Sequence, residues 1–454
     1  MLRLPSVFWG ARLALSDIVR DCGVVGAGGA GFPTHVKIRS RVEVLIANGA
    51  ECEPVLVTDQ WLMAQHPREI CEAIRAVGEA VGARRLVFAT KHKYDEVIKR
   101  FKPFLNLDPP IELFELGDFY PSGDEHTLVH EVTGRIVPEG GIPLHVSVLV
   151  QNVGTLLNIY KALKGSPVIM KHVTVAGEVR SPGVYIVPIG TRAIDCIALA
   201  GGATVEDFAI IDGGPMMGRL LGSVFEPVTK TTSGLLVLKK DHPLVQRRTT
   251  ADMAEKRLAL SVCCNCRMCT DLCPRHLLGH RIEPHRAMRA IANATENDIH
   301  VLAMGYLCCL CNVCEAYACP MGLSPRRIFE QFKARLSSEK LPQIYKASPE
   351  KTLDAYEWSK VPKERLAQRL RVSQYLLPKV GEPISLVEDI KTVFIPMKQH
   401  SGVPCIPIVQ ENQHVREGEC IGIVPDGALG APVHAPFDGI VKQVEKDKVI
   451  ISRS

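Results

Sequence analysis

The chain has 454 residues, 46% of them hydrophobic, and 54 Lys and Arg against 49 Asp and Glu leave a net charge of +5. That length suits about three or four domains. The charge is too small and too dispersed for a nucleic-acid partner, and no apolar run reaches the ~18 residues that a membrane span needs.

Residues 1–12 are mildly apolar, but the stretch is short and Arg12 interrupts it. A cleaved signal peptide is therefore not expected; a frayed start or a docking tail is. Residues 16–22 read as helix. They lead into Gly23-Val24-Val25-Gly26-Ala27-Gly28-Gly29-Ala30-Gly31-Phe32-Pro33-Thr34. Glycines remove Cβ and let backbone N–H groups approach an anion. Gly26 to Gly31 matches Gly-x-Gly-x-x-Gly, but a Rossmann turn needs a strand before it and a helix after it. Here a helix precedes, and Pro33 would fall early in the helix expected after the loop. The loop is expected to bind phosphate outside a Rossmann fold.

Val42-Glu43-Val44-Leu45-Ile46-Ala47 reads as a strand that turns at Asn48-Gly49. Ile70, Ile74, Val77 and Val81 predict a helix over 70–81, and Arg85-Leu86-Val87-Phe88-Ala89-Thr90 a second strand. This alternation predicts an α/β domain with a parallel sheet over residues 1–165. Composition shifts at Lys164-Gly165-Ser166-Pro167. A hairpin over 173–187, a helix over 193–200 and a strand at 235–238 then predict an α+β module at 166–245.

Residues 250–335 hold two cysteine runs. The first is Cys263-Cys264-Asn265-Cys266-Arg267-Met268-Cys269-Thr270-Asp271-Leu272-Cys273-Pro274; the second is Cys308-Cys309-Leu310-Cys311-Asn312-Val313-Cys314, then Cys319-Pro320. Cys-x2-Cys-x2-Cys-x3-Cys-Pro is the ligand run of bacterial-type [4Fe–4S] proteins, in which the fourth Cys reaches the other cluster. Zinc sites show two separated Cys pairs instead, and disulfides fit a reducing compartment poorly. Cross-ligation gives one cluster Cys263, Cys266, Cys269 and Cys319, and the other Cys308, Cys311, Cys314 and Cys273. The second run departs by one residue, with four between Cys314 and Cys319. Cys264 and Cys309 read as buried thiols. Arg267, Arg275, His276, His280, Arg281, His285, Arg286 and Arg289 crowd the first run. They are expected to offset the clusters' negative charge along a solvated helix. Residues 336–389 read as a polar linker. Short strands with glycine turns predict a small β-sandwich over 390–454.

The glycine loop, Lys37 and Asn48-Gly49-Ala50-Glu51-Cys52-Glu53-Pro54 together resemble the flavin- and NADH-binding subunit of respiratory complex I. The Ala-Glu-Cys-Glu-Pro form is similar to the RnfC-like and PduS branch of that family. The resemblance implies a multidomain α/β plus α+β fold. Its parts are a complex-I-like flavin/NADH domain, an SLBB β-grasp module, a helical two-cluster ferredoxin-like domain and a C-terminal barrel-sandwich hybrid. It implies FMN cradled by Gly26, Gly28, Gly29 and Lys37, with Asn48 and Glu51 at the flavin and Phe32 and Glu53 facing NADH. Tyr120-Pro121-Ser122-Gly123-Asp124-Glu125 resembles the family's Gly-Glu-Glu segment, and Asn152 its flavin-side Asn. That adds Gly123, Asp124, Glu125 and Asn152 to the cofactor residues. Ala27 and Ala50 replace a basic and an acidic residue of complex I. Where a lipoyl or biotinyl carrier would present its Lys stands Pro425-Asp426-Gly427-Ala428-Leu429-Gly430, so docking is expected of this module rather than carriage.

The function implied is that of an NADH-dependent flavin/iron–sulfur oxidoreductase with no catalytic acid, base or nucleophile, since the cofactors do the chemistry. The resemblance to this branch implies cob(II)alamin as the acceptor. It implies the cytoplasm as the setting, with a bacterial microcompartment as the candidate site and shell proteins or a cobalamin adenosyltransferase as candidate partners. One alternative is a peripheral RnfC-like subunit of a membrane ferredoxin:NAD oxidoreductase. The other is a non-enzymatic iron–sulfur wiring protein.

Overall fold

The computed structural model describes residues 13–249, 252–377, 384–385 and 389–454. The tail at 1–12 lies outside the described residues. The first unit holds α1 (Leu13–Asp21), α2 (Thr34–Ile38), β1 (Val44–Gly49), α3 (Thr58–Gln65), α4 (Pro67–Val81), β2 (Arg85–Lys91), α5 (Asp95–Leu105), β3 (Glu112–Leu116), β4 (Phe119–Tyr120), α6 (Glu125–Thr133), β5 (Val148–Asn152) and α7 (Val153–Leu163). Its main sheet runs β3-β2-β1-β5, all parallel. Strands of such a sheet are apolar on both faces because helices cover both. Leu45, Ala47 and Phe88 pack with Ile70, Ile74 and Val77 of α4, while Val44, Ile46 and Val87 pack with Leu128 and Val129 of α6. Pro67 opens α4 and Gly82, at φ +70°, closes it in the left-handed region where glycine costs least.

The second unit contains β6 (Met170–Gly177), β7 (Gly183–Pro188), α8 (Ala193–Leu199), β8 (Phe208–Asp212), β9 (Arg219–Leu220) and β10 (Gly234–Lys239). β6 and β7 form the antiparallel hairpin, β10 lies parallel to β6, and α8 packs Cys196 and Ile197 onto Val173, Val175 and Tyr185. The cluster unit comprises α9 (Pro243–Thr249), α10 (Asp252–Val262), α11 (Met268–Asp271), α12 (Pro274–Leu277), α13 (Pro284–Ala292), α14 (Ile299–Leu302) and α15 (Pro325–Ser338), with a π-helical turn over Val313–Ala318. Met288, Ile291, Leu302, Phe329 and Phe332 form its core.

The described residues of 336–389 pack on their neighbours. β11 (Val361–Pro362) pairs antiparallel with β4, and α16 (Lys363–Arg369) follows it. Leu366, Leu370 and Val372 are buried against Tyr120 of the first unit and Val313 of the cluster unit. β12 (Ile384–Ser385) then adds to the edge of β7. Two-residue strands and a mostly polar composition hide such a strap from periodicity, since each element is stabilised by its neighbours rather than by its own pattern.

The last unit has β13 (Thr392–Pro396), β14 (Ile406–Pro407), β15 (His414–Val415), β16 (Cys420–Ile423), β17 (Val433–His434), β18 (Gly439–Val444) and β19 (Lys448–Arg453). Two sheets, β13-β19-β18-β15 and β14-β16-β17, enclose Val393, Ile395, Val433, Phe437 and Ile451. Among the described residues, no helix is long and apolar enough to cross a membrane.

Candidate functional site

From β1 the chain moves to β2 and β3 on one side, then returns to place β5 on the other. Ligands of open α/β sheets bind at such a switch point, beyond the carboxyl ends of the strands. Asn48 and Asn152 face each other there in register. The glycine loop lies over this edge: Gly28 packs on Asn152, with a Cβ position 3.6 Å from Nδ2. A bridge between Val25 and Pro33 and a bond from Gly26 N to Phe32 O (2.9 Å) close the loop. A Cβ on Gly26 would stand 3.6 Å from Phe32 N and 3.8 Å from Gly31 N. Gly29 sits at φ +104° with nothing within 4 Å of a Cβ, so any other residue would be strained and would fill the open side. Phe32 is half-buried at the loop's end.

Around this loop the polar side chains form three hydrogen-bonded groups. Lys37 Nζ donates to Glu125 Oε1 (2.8 Å) and reaches Val150 O (3.4 Å). Asn48 Nδ2 donates to Gly123 O (2.9 Å) and Asn48 Oδ1 accepts from Ala50 N (3.1 Å), which fixes the Gly123 turn on the end of β1. Asn152 Oδ1 caps α7 through Gly154 N, and its Nδ2 donates to Asp59 Oδ2 (2.7 Å). Glu51 is buried, and its Oε2 accepts from Asp59 N (3.3 Å). Burial raises the Glu51 carboxyl, opposed by the Lys363 charge; burial and the Glu51 charge push Asp59 up to about 7. Two buried oxygen and nitrogen atoms at the same edge, Ser122 Oγ and Gln151 Nε2, have no protein partner. Bare backbone, a lysine amine and orphaned polar atoms fit a phosphorylated flavin.

Two residues expected at the cofactors have their carboxylates bonded by protein groups. Asp124 caps α6 through His126 N and Thr127 N and takes both ends of the Arg275 guanidinium at 2.6 and 2.9 Å. Its oxygens join the flavin unit to the cluster unit rather than facing flavin. Glu53 accepts from Met216 N (2.9 Å) and Met217 N (2.8 Å), so it holds the Gly213–Gly218 loop of the β-grasp unit. Burial pushes Glu53 up to about 7, against the pull of those two amides.

Beyond Gly123 the path leads to the cysteines. Tyr120, fully buried, donates its hydroxyl to Cys311 O (2.8 Å), and Asn312 Nδ2 donates to Met216 O (3.0 Å). Cys273, Cys308, Cys309, Cys311 and Cys314 line one cavity; Cys263, Cys264, Cys266, Cys269 and Cys319 line another. Cys273, Cys311 and Cys314 are buried, whereas Cys266 is exposed. The first cavity is therefore the inner one, against the flavin unit, and the second lies at the surface.

The two runs repeat each other's backbone. Asn265 and Arg267 stand at φ +55° and +64°, Leu310 and Asn312 at +56° and +70°. Cys273 (φ −72°, ψ 120°) and Cys319 (φ −73°, ψ 115°) end the two turns alike. A regular α-helical turn, Met268–Asp271, spans the first run, and the π-helical turn spans the second. A π turn carries one residue more than an α turn. The extra residue before Cys319 is absorbed there, and Cys319 keeps its place. Among the described residues, no group of His, Cys, Asp and Glu side chains is gathered closely enough for a single metal ion. The fit to [4Fe–4S] clusters rests on the spacing of the runs and on both runs contributing thiols to each cavity. Burial pushes Cys269 and Cys273 up to about 12, so a bound cation has to hold them as thiolates. Leu310 N and Leu323 N donate to Cys308 Sγ and Cys319 Sγ, bonds that support charge on sulfur.

The basic residues of the first run divide. Arg267, Arg286 and Arg289 are exposed. Arg275 is buried on Asp124, His280 bonds Val137 O (2.9 Å), and Arg281 pairs with Glu139 (2.6 Å). Those three fasten the cluster unit to the flavin unit instead of lining a solvated helix. Cys264 is exposed and Cys309 half-buried, not the buried thiols expected.

Comparison with known proteins agrees with this layout. Residues 19–161 match the Nuo51 FMN-binding domain, 172–220 the SLBB domain, 262–324 a 4Fe-4S dicluster domain and 379–453 the RnfC barrel sandwich hybrid domain. Cobalamin reductase PduS of Citrobacter freundii is 42% identical over 97% of this chain and 96% of its own length. The chain belongs to the PduS family. The Salmonella typhimurium member is likewise 42% identical, over 97% and 96% of the two chains. A component of the Na(+)-translocating ferredoxin:NAD(+) oxidoreductase complex of Acetobacterium woodii is 32% identical over 58% of each. As a PduS-family protein, this chain is an NADH-dependent oxidoreductase with an FMN-binding domain and a 4Fe–4S dicluster domain.

In this PduS-family fold several site residues escape a reading of the sequence. Asp59 looks like an ordinary first-turn acid of α3, yet it meets Glu51 and Asn152. Lys363 Nζ reaches back to Glu51 O (3.1 Å) from the stretch read as a linker. Tyr120 lies inside the resembling segment, but only its bond to Cys311 O, 191 residues on, shows what it joins. No local pattern signals any of these, because Asn152, Glu51 and Cys311 stand 93, 312 and 191 residues from Asp59, Lys363 and Tyr120.

Proposed function

We propose that this protein passes electrons from NADH through FMN and two [4Fe–4S] clusters to cob(II)alamin. When bound, FMN takes hydride and the clusters carry single electrons, so the pair converts two-electron into one-electron chemistry. Gly26, Gly28, Gly29 and Lys37 would hold the FMN phosphate, with Asn48, Glu51, Gly123, Glu125 and Asn152 around the ring system and Phe32 beside NADH. Cys273, Cys308, Cys311 and Cys314 would ligate the inner cluster; Cys263, Cys266, Cys269 and Cys319 the outer. The observation that carries this reading is the bond of Tyr120, three residues before the Gly123 turn that Asn48 holds, to Cys311 O in the inner cysteine cavity, with a second cysteine cavity at the surface of the same unit. The protein orders the carriers: the inner cavity is shielded by the flavin unit, so electrons leave at the surface cavity. The acceptor is assigned from the relatives named cobalamin reductase. Cytoplasmic placement in a microcompartment, with shell proteins or an adenosyltransferase as neighbours, belongs to the same assignment.

Balanced, the reaction is NADH plus two cob(II)alamin giving NAD+, a proton and two cob(I)alamin. Anaerobic mixing of the reconstituted protein with NADH and cob(II)alamin is expected to form cob(I)alamin in that ratio. NADH consumed only when ferredoxin is supplied would move the protein to the RnfC-like reading. Clusters that reduce with dithionite but never with NADH would leave a wiring protein.

A further inference from the structure

The glycine loop can offer its backbone on one side because its carbonyl groups are tied down on the other. Four are engaged from behind: Gly23 O by Lys230 Nζ (2.7 Å), Ala27 O by Lys171 Nζ (3.4 Å), Ala30 O by Ser401 Oγ (2.8 Å) and Gly31 O by Ser401 N (2.9 Å). None of these donors belongs to the flavin unit. Lys171 and Lys230 come from the β-grasp unit, and Ser401 comes from the C-terminal sandwich. In a planar trans peptide the N–H points opposite to the preceding C=O. Holding Ala27, Ala30 and Gly31 by their oxygens therefore aims the N–H groups of Gly28, Gly31 and Phe32 at the far side.

The contact is close as well as polar. A Cβ on Gly31 would stand 2.8 Å from Thr231 Cγ2 and 3.2 Å from His400 Cα; one on Gly23 would stand 2.5 Å from Pro432 O. Gln399 Oε1 accepts from Lys230 N (3.1 Å), and Lys230 Nζ also donates to Pro432 O (2.7 Å). Lys230 is 2% exposed, and backbone carbonyls receive its amine. A buried cation behind the loop favours an anion in front of it.

We propose that the C-terminal barrel-sandwich unit is the positioning element of the flavin phosphate loop, with Ser401 as the residue that sets it. The unit without a carrier lysine works inside its own chain, as a clamp. The inference rests on the flavin reading of the loop.

Ser401→Ala in the full-length chain tests it, with Ser401→Thr as the conservative partner; the side chain is exposed, so folding and iron content are expected to hold. Two readouts are taken: FMN affinity of the deflavinated protein, and amide hydrogen exchange across 26–32 before FMN is added. Loss of one hydrogen bond is expected to weaken FMN binding about five-fold and to speed exchange of the loop amides, with Thr restoring both. Unchanged affinity and unchanged exchange in Ser401→Ala would overturn the proposal. If the parent chain fails to bind FMN, the flavin reading falls on its own, and the exchange measurement still decides whether Ser401 positions the loop.

Discussion

Replacing Cys311 by Ala is expected to stop electrons at the flavin. Cys311 lies in the buried inner cavity, and its own carbonyl receives the Tyr120 hydroxyl from the flavin side. Removing one corner ligand of a four-thiolate cubane exposes an iron and loosens the cluster. Changing residues that merely touch a metal ligand typically costs 10–100-fold in affinity or activity, so a ligand itself is worth at least about 100-fold. The expected result is loss of about half the iron, since each cluster carries four, and acceptor reduction lowered by at least about 100-fold. NADH should still bleach the flavin, because the glycine loop and the Asn48–Asn152 edge are untouched. Cys264→Ala is the control: that thiol lines the outer cavity but stands outside the Cys-x2-Cys-x2-Cys spacing, and iron content should stay at the parent value. Stopped-flow absorbance of the flavin beside a colorimetric iron assay separates the cases. A Cys311→Ala protein that keeps full iron and full acceptor reduction would remove Cys311 from the ligand set.

Arg275→Met is expected to be the most damaging change to the joint between the flavin and cluster units. Its guanidinium and the Asp124 carboxylate are 8% and 16% exposed and meet through two bonds. Leaving Asp124 charged, buried and unpaired costs about 3–5 kcal/mol. Changing Asp124 to Asn at the same time removes the stranded charge while keeping an oxygen for the α6 cap, so the double variant should recover most of the loss. Thermal melts and urea titrations of the two variants check this. Equal destabilisation in both would mean that lost packing, not charge, is responsible.

The same pair has a pH signature. Burial alone would push the Asp124 carboxyl up, but the Arg275 charge, with His126 and the Thr127 amide, holds it below the usual carboxylate range. A carboxyl whose folded value is depressed contributes stability in full above its unfolded value near 3.9 and loses it as pH falls through the folded value. Acid melts of the parent should therefore show a loss below about pH 4 that the double variant lacks.

How much of this was legible in the sequence depends on how local each signal is. The strand at β1 and the helix at α4 could be read because burial on a covered sheet face, or on one helix stripe, repeats every few residues. The cysteine runs could be read because a cubane fixes ligand spacing. The extra residue before Cys319 was visible as a departure, but its accommodation in a π turn was not, because that depends on how Val313 and Ala316 pack with Leu366 and Leu370. Asp124 and Glu53 were readable as members of a motif and not by what holds them: their partners lie 151 and more residues away. The packing of β11, α16 and β12 escapes the sequence for the same reason, since β11 and β12 are only two residues each and borrow their order from β4 and β7.

The central claim is that one chain carries electrons from NADH to its clusters by way of flavin. An anaerobic NADH titration of the protein, reconstituted with FMN, iron and sulfide, tests it most directly when flavin absorbance and the cluster EPR signal are followed together. Flavin bleaching accompanied by the signal of reduced [4Fe–4S] clusters is the predicted result. A flavin that stays yellow, or bleaches while clusters reducible by dithionite remain oxidised, would contradict it.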